Sequence, residues 1–260
     1  MVIASIEPIN AAESAEITLT RSLDVPDRTV SFENQTFNIV EIGNYKINQD
    51  IGFTVDAPGV DEMLVILYDR YRLSVWFERF NSTNGRVVGV IPANKTGESG
   101  TYALTVSHNR SIISAIPIVI SDYTISVVPE GKKTTAGKVF DVDVIIKNKK
   151  GIPVNVENTV KVVLAQGSSS IETNVTNKKI GEYVAHIEIP QSSNGTFSLY
   201  SVITTERKVY MNYPEILGVQ SGGYIEIMQP SAEKAPMVNA AVMVFLLICA
   251  RFFVRKNYEL

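Results

Sequence analysis

The strongest constraint on the fold is a period-two alternation of apolar and polar residues that recurs in short segments between residues 16 and 228. Gly, Pro, Asn and Ser separate these segments, and no stretch shows the 3.6-residue period of a helix. The pattern predicts an all-β fold in which each strand buries one face and exposes the other, as in a two-sheet sandwich. Three segments show it most clearly, with the apolar members Tyr102, Leu104 and Val106; Phe140, Val142, Val144 and Ile146; and Tyr183, Ala185, Ile187 and Ile189.

One strand pattern occurs twice. In the first half a strand over residues 85–91 is followed, after a polar loop, by Gly100-Thr101-Tyr102. In the second half a strand over residues 181–189 is followed, after a shorter loop, by Gly195-Thr196-Phe197. Two copies of one β-module are the simplest explanation.

The Gly-x-aromatic step resembles the corner of immunoglobulin-like (Ig-like) sandwiches, where a Tyr near the start of one strand secures the crossing to the other sheet. Tyr102 can form the hydroxyl hydrogen bond of such a corner. Phe197 has no hydroxyl group, so the second corner is expected to depend on packing alone. We expect two tandem Ig-like domains, with a boundary at Ser121-Asp122.

The C-terminal part contains an apolar run over residues 235–254, followed by Arg255 and Lys256. Its length is close to the roughly 20 residues that a helix needs to cross a bilayer. The basic residues lie mainly on its C-terminal side, which predicts a single-pass anchor with the C-terminus in the cytoplasm and the preceding residues outside. The alternative is a buried helix of a soluble domain, but such a helix usually keeps a polar stripe.

The sequence leaves two interpretations of residues 1–12 open. The segment lacks a basic N-terminal region, yet Ile9-Asn10-Ala11-Ala12 before Glu13 is typical of the end of a signal peptide. It is therefore either a signal-peptide remnant or an ordinary N-terminus. The expected organisation is residues 1–12 as that segment, 13–121 and 122–229 as the two Ig-like domains, 230–234 as a stalk, 235–254 as the transmembrane helix and 255–260 as the cytoplasmic tail.

Over nearly its whole length the chain resembles the Ig-like repeat proteins of archaeal cell surfaces, particularly those of methanogens. The shared features are tandem sandwiches, sequons, a C-terminal anchor and few cysteines; here the only cysteine, Cys249, lies inside the predicted span. The resemblance implies a glycoprotein of the cell envelope. Many such proteins carry Pro-Gly-Phe before the span, whereas this chain has Ala235-Pro236-Met237, so we expect the span to be retained.

The chain has sequons, Asn-x-Ser/Thr, that would be glycosylated on the outer side of the predicted membrane. Asn94 and Asn194 fall in the same loop of the two repeats, which favours glycosylation over chance matches to the motif. The complete set is Asn34, Asn81, Asn94, Asn109, Asn174 and Asn194.

Catalysis, cofactors and metals have no motif to support them. His108 and His186 are expected to be surface residues, and the chain lacks the G-x-S-x-G and H-E-x-x-H motifs. Asp141 and Asp143 have no oxygen-rich loop beside them that would make a calcium site. The net charge of -3 gives no basic footprint for nucleic acid. We expect no enzyme, no cofactor and no nucleic-acid partner.

The best candidate for a protein-binding surface is the hairpin around Asp69-Arg70-Tyr71-Arg72. Arg72, Tyr71 and the outward member of the Trp76 and Phe77 pair have the composition of interfaces, although the aromatics could equally be buried. The sequence therefore predicts a structural, adhesive or protein-interaction role in the cell envelope, with an envelope protein or glycan as partner. The alternative is an accessory subunit whose modules cap a larger membrane complex, such as a transporter or glycosyltransferase.

Overall fold

The computed structural model describes residues 14–33, 35–209 and 213–230, and these residues form an all-β protein with a single 3₁₀ turn at Ala93–Lys95. The strands of the first half are β1 Glu16–Leu19, β2 Ser22–Phe32, β3 Gln35–Lys46, β4 Ile51–Asp56, β5 Glu62–Tyr68, β6 Ser74–Asn81, β7 Arg86–Ile91, β8 Gly100–His108 and β9 Ser111–Ser121. Those of the second half are β10 Thr124–Pro129, β11 Lys133–Thr135, β12 Val139–Lys147, β13 Thr159–Gln166, β14 Ser169–Asn174, β15 Thr176–Lys179, β16 Glu182–Glu188, β17 Gly195–Val209 and β18 Tyr213–Met228.

Strands β1 to β9 form module 1, a sandwich of two sheets. One sheet has the order β1-β4-β7, and the other has the order β2-β3-β9-β8-β5-β6. Their facing sides bury one apolar core, in which Tyr45, Phe53, Met63, Leu67 and Leu104 are among the large side chains that are fully buried.

Strands β10 to β18 form module 2, with sheets of order β10-β12-β16-β15 and β11-β18-β17-β13-β14. Its core is built around Phe140, Ile146, Leu164 and Phe197. Position by position, β1, β4, β5, β6, β7, β8 and β9 of module 1 correspond to β10, β12, β13, β14, β16, β17 and β18 of module 2. The end of β3 pairs in parallel with the last strand of module 1, as β11 does in module 2. This shared order is that of Ig-like sandwiches.

The Tyr102 corner forms as expected, because the Tyr102 hydroxyl donates to the backbone carbonyl of Glu98 at 3.0 Å. Burial raises the pKa of Tyr102, only partly offset by this hydrogen bond. Phe197, at the equivalent position, is buried in the core of module 2.

Two long hairpins join the modules. The β2–β3 hairpin extends module 1 between its first strand and β4, and the β17–β18 hairpin extends module 2. Together with β8, β9 and β13 they enclose a third apolar layer, which we call the interlayer. Its buried members are Val25, Ile39, Ile42, Val119, Val163, Ala165, Tyr200, Val202 and Val219, with Phe32, Ala103, Ile112 and Val209 at one end. The described residues from 14 to 228 accordingly form one compact unit.

The interlayer corrects the expectation that β8 exposes one face. Thr101 and Thr105, on the side opposite Tyr102, are buried as well. At Thr101 the reason is that β18 crosses this face, where the Thr101 hydroxyl donates to the carbonyl of Ile216 and accepts from its amide. The Thr105 hydroxyl donates to the carbonyl of Ile66 on β5. The alternation of β12 and β16 is as predicted.

The sequence pattern also predicts a surface loop over residues 129–138 and a last strand over Tyr224 to Met228, and both predictions were wrong in extent. Residues 129–138 are not only a surface loop, because they contain β11, which pairs with the last strand. The final strand begins at Tyr213 rather than at Tyr224, because it continues past Gly222 and Gly223 as the partner of β17. The predicted N-terminal segment, stalk, span and tail lie outside the described residues, apart from Pro230. Within the described ranges no helix has the length and hydrophobicity needed to cross a membrane.

Candidate functional site

The candidate binding surface lies on the β5–β6 hairpin at the edge of the six-stranded sheet. Its turn is fixed by Asp69, whose side-chain oxygen accepts the amides of Tyr71 at 2.8 Å and Leu73 at 2.9 Å. Arg72 adopts a positive φ of 65° and is exposed. This Asx-type turn leaves the chain free to return as β6.

Trp76 and Phe77 point in opposite directions, as adjacent strand residues must. Trp76 is 9% exposed and packs edge-on against Phe53 in the core of module 1. Phe77 is 69% exposed and lies opposite Ile66 on the outer face of the sheet. Of this pair, only Phe77 can contribute to a surface.

Phe77 belongs to an apolar group that we call the β5–β6 surface: Leu64, Ile66, Tyr71, Leu73 and Phe77. Leu64 and Ile66 are half-buried, while Tyr71, Leu73 and Phe77 are exposed. Because β6 is the edge strand, its outer backbone groups also face away from the sheet. Such an edge can accept an added strand from a partner.

Contacts with module 2 fix the position of the Tyr71 side chain. Its hydroxyl accepts from Arg207 at 3.1 Å, and the guanidinium groups of Arg70 and Arg207 lie 5.1 and 5.5 Å from its ring centroid. Both distances are within the range of cation–π attraction. The side chain is therefore positioned, but it is still 56% exposed.

Beneath Tyr71 a buried carboxylate joins the modules. Glu215, 2% exposed, accepts from Arg70 at 3.2 Å and lies 3.9 Å from Arg207. Arg70 also pairs with Glu98 at 2.7 Å. Burial of the Arg70 guanidinium opposes its charge, but the hydrogen bond and charge of Glu215 outweigh burial, so the pKa of Arg70 is raised. The cluster stabilises the contact between β18 and the β5–β6 turn.

Gly100 makes the close approach of Glu215 possible. A Cβ atom at this position would lie 2.5 Å from Oε1 of Glu215, and the φ of 145° is one that residues with side chains rarely adopt. The glycine of the Gly-Thr-Tyr repeat is thus required by the contact between the modules as well as by the corner.

The sequon asparagines that the structure describes are exposed: Asn81, Asn94, Asn109, Asn174 and Asn194. Asn34 lies outside the described residues. Asn81 is paired with Glu62, and the neighbour of Asn109, His108, contacts the Glu62 carbonyl, so both sequons lie at the end of the sheet opposite the β5–β6 turn. Asn94 lies nearer the turn, in the loop that provides Glu98.

The two histidines make ordinary surface contacts. Nδ1 of His186 lies within hydrogen-bond distance of Oδ1 of Asp141, at 2.7 Å, on the outer face of module 2. Across the described ranges, no group of three or more His, Cys, Asp or Glu side chains is arranged to hold a metal ion.

Sequence reasoning missed the β2–β3 hairpin, Glu215 and Arg207. The hairpin carried a usable signal, since Val30 and Phe32 alternate before the turn and Phe37 and Ile39 alternate after it. Glu215 and Arg207 carried none, because a single charged residue in a strand gives no indication that a distant hairpin will cover it.

No protein-family model matches the sequence, and no curated protein sequence does either. Among solved structures the similarity is low in both sequence and TM-score. FdeC, described as an Escherichia coli adhesin, has 13% identity and a TM-score of 0.29, over 84% of this chain and 65% of the adhesin chain. This chain therefore spans less than two thirds of that structure.

A chimeric titin Z1Z2 tandem has 11% identity and a TM-score of 0.30, over 79% of this chain and all of the titin chain. A β-glycosidase from Bacteroides vulgatus has 10% identity and a TM-score of 0.28, over 83% of this chain and 25% of the enzyme. An adhesin, a muscle-protein tandem and an enzyme are thus among the structures found, all with TM-scores of 0.30 or less.

Proposed function

We propose that this chain is a non-enzymatic interaction protein of the cell surface, with the two Ig-like modules outside the cell and residues 235–254 as a single-pass membrane anchor. In this proposal residues 255–260 are cytoplasmic, and the exposed sequons carry glycans. The apolar run and the basic residues after it support the anchor.

The observation that carries the proposal is the exposed aromatic and aliphatic surface on the edge hairpin of module 1. Phe77 and Leu73 are 69% and 63% exposed, yet both lie on a hairpin whose turn is fixed by Asp69 and whose Tyr71 is fixed by Arg207. A rigid, exposed aromatic surface loses little conformational entropy on binding, which is typical of interface centres.

The test is crosslinking in intact cells with a photoreactive amino acid introduced at position 77 and, separately, at position 73. We expect the same envelope component to be captured from both positions. Position 180 provides the matched control, because Ile180 is similarly exposed, at 67%, but lies in module 2.

A second variant shows whether the contact is specific. With the photoreactive residue at position 73, Phe77→Ala should abolish capture, while Ile180→Ala should leave it unchanged. If nothing is captured from positions 73 and 77, the β5–β6 surface is not a binding surface. The same follows if position 180 captures the same component equally well.

A further inference from the structure

The interlayer is incompletely filled. Between the β2–β3 hairpin and the outer face of module 2 lies a cavity of about 370 Å³. Its walls are mainly aliphatic and aromatic, and Val30, Phe37, Ile39, Val163, Val202 and Ile216 are representative. Protein interiors rarely leave a void of this size, and the volume lies within the range of small-molecule sites.

One end of the cavity is charged. Arg28 and Lys161 are two cations in the lining, and Glu172 is the one anion, paired with Lys161 at 3.0 Å. Arg28 also donates from Nε to the backbone carbonyl of Pro26 at 3.5 Å. Arg28 is half-buried, and the side chains of Lys161 and Glu172 are 35% and 48% exposed, so this end reaches solvent.

Tyr200 lies in the lining close to the charged side chains. Its side chain is buried within electrostatic reach of both Arg28 and Glu172. Val202, directly opposite Lys161 on the neighbouring strand, and Val219, the next partner of Val202, continue the lining as apolar side chains. The cavity therefore has the polarity of an amphiphile, with a cationic entrance and an apolar interior.

The cavity lies between two facing sheets, which limits the shape of an occupant. Sheets that pack face to face leave about one layer of side chains between them, roughly 10 Å from backbone to backbone. A thin flexible chain fits such a slot better than a bulky ring system. The apolar part of the lining offers water few hydrogen-bond partners, so a hydrocarbon fits it better than water does.

We infer that this cavity binds the hydrocarbon chain of a long-chain amphiphile whose anionic group, a carboxylate or a phosphate, lies at Arg28 and Lys161. A free fatty acid and an anionic phospholipid both supply this chemistry. The inference is independent of the β5–β6 surface, which lies on the outer face of the edge hairpin.

The experiment uses the full chain in lipid nanodiscs and a long-chain fatty acid that carries a diazirine near its end. We expect photolabelling of peptides from β2, β3, β13 and β17. A parallel arm places the diazirine in phosphatidylglycerol of the nanodisc bilayer, and labelling of the same peptides there would identify the membrane as the source. Labelling confined to residues 235–254 in both arms, or no labelling, would overturn the inference.

A cavity-filling variant tests the location. Val202→Phe should lower labelling of the cavity peptides about tenfold without lowering the melting temperature, because the larger side chain occupies space that the hydrocarbon would take. Labelling of parent and variant to the same extent would overturn the inference.

A charge variant tests the entrance even if Val202→Phe fails to fold. Arg28→Gln should weaken binding of the fatty acid about tenfold, while the fatty alcohol of the same chain length should bind parent and variant equally. Arg21→Gln is the matched control, since Arg21 is exposed and is not in the lining. An equal loss for acid and alcohol would overturn the assignment of the anionic group to Arg28.

Discussion

Modules 1 and 2 share a strand order but differ in which hairpin is long. In module 1 the extension is the β2–β3 hairpin, while the corresponding crossing in module 2 is the short passage from Pro129 to Lys133. In module 2 the extension is β17–β18, whereas β8 and β9 of module 1 turn at Asn109-Arg110. The repeated strands build each core, and the unrepeated hairpins build everything that lies between the cores.

The modules also differ at one sheet edge and at the corner. Module 2 has β15 beside β16, but β7 of module 1 is an edge strand. Seven residues separate Pro92 from Gly100, and four separate Pro190 from Gly195. The longer loop provides the Glu98 carbonyl for Tyr102 and the Glu98 carboxylate for Arg70. The two modules have thus diverged in their loops and sheet edges, which have acquired separate functions, while their cores remain alike.

The largest expected effect tests whether the interlayer makes the modules unfold together. Phe197→Ala should lower the free energy of unfolding by about 3–5 kcal/mol, because it empties an aromatic site in the core of module 2. Trp76, the only tryptophan, lies in the core of module 1. We expect Trp76 fluorescence and far-UV circular dichroism to report the same shifted transition in urea.

Tyr102→Ala is the matched variant in module 1, with a similar expected loss. If Phe197→Ala shifts the dichroism transition but leaves that of Trp76 fluorescence where it was, the modules unfold independently and the interlayer does not couple them.

A somewhat smaller effect is expected in the pH dependence of stability, which should distinguish the interlayer from the cores. Burial raises the pKa of Tyr200 to about 12 from 10.0. The unfolded chain then loses this proton before the folded chain does, so the stability present below pH 10 is lost as pH rises through about 12. Across that window, the free energy of unfolding should fall by about 2 kcal/mol more in the parent than in Tyr200→Phe.

The control for the pH experiment is Tyr224→Phe, because Tyr224 is an exposed tyrosine of the same module. Urea unfolding at several pH values gives the free energy of unfolding as a function of pH. If it falls equally in the parent and in Tyr200→Phe, Tyr200 is as hydrated as a surface tyrosine and the interlayer is open to solvent.

The charged contact between the modules should contribute less. Arg70→Ala leaves the buried Glu215 with Arg207 alone, at 3.9 Å, and should destabilise the protein by about 1.5 kcal/mol. Arg79→Ala breaks an exposed ion pair with Glu62 and should change stability by less than about 0.5 kcal/mol. Equal effects of the two substitutions in urea unfolding would contradict a role for Glu215 in joining the modules.

The smallest effect concerns the two corners. Tyr102→Phe should cost about 1 kcal/mol, the usual contribution of one hydrogen bond. The reciprocal Phe197→Tyr should give no gain, because the loop before Gly195 is shorter than the one before Gly100. Increased stability of Phe197→Tyr in thermal unfolding would show that the second corner can also accept a hydroxyl group.

The repeated part of the fold was predictable because its signals are local. Alternation in residues 140–146 and 183–189 specifies half-buried strands, and the Gly-x-aromatic motif marks both corners. Gly100 and Gly195 indeed have φ values of 145° and 100°, which explains why glycine stands there in both copies.

The interlayer was not predictable because its signals depend on distant partners. Thr101 is a polar residue in a strand that alternates, and the crossing of β18 covers it. Arg70 and Tyr71 likewise have the composition of a free surface, but both are engaged by module 2. Sequence identified the β5–β6 hairpin as the candidate surface, while the structure was needed to separate Trp76, in the core, from Phe77.

The register of β17 and β18 determines how the protein responds to mechanical tension. The two strands pair along their length, from Gly195 opposite Ile227 to Val209 opposite Tyr213. A pull on Met228 along the strand axis therefore strains many of these hydrogen bonds at the same time, instead of peeling them off one by one. Part of the force passes along β18 directly to Thr101 of module 1, without crossing the link at residues 122–123. Under tension the two modules should therefore bear the force as one mechanical unit, instead of moving independently about a flexible linker.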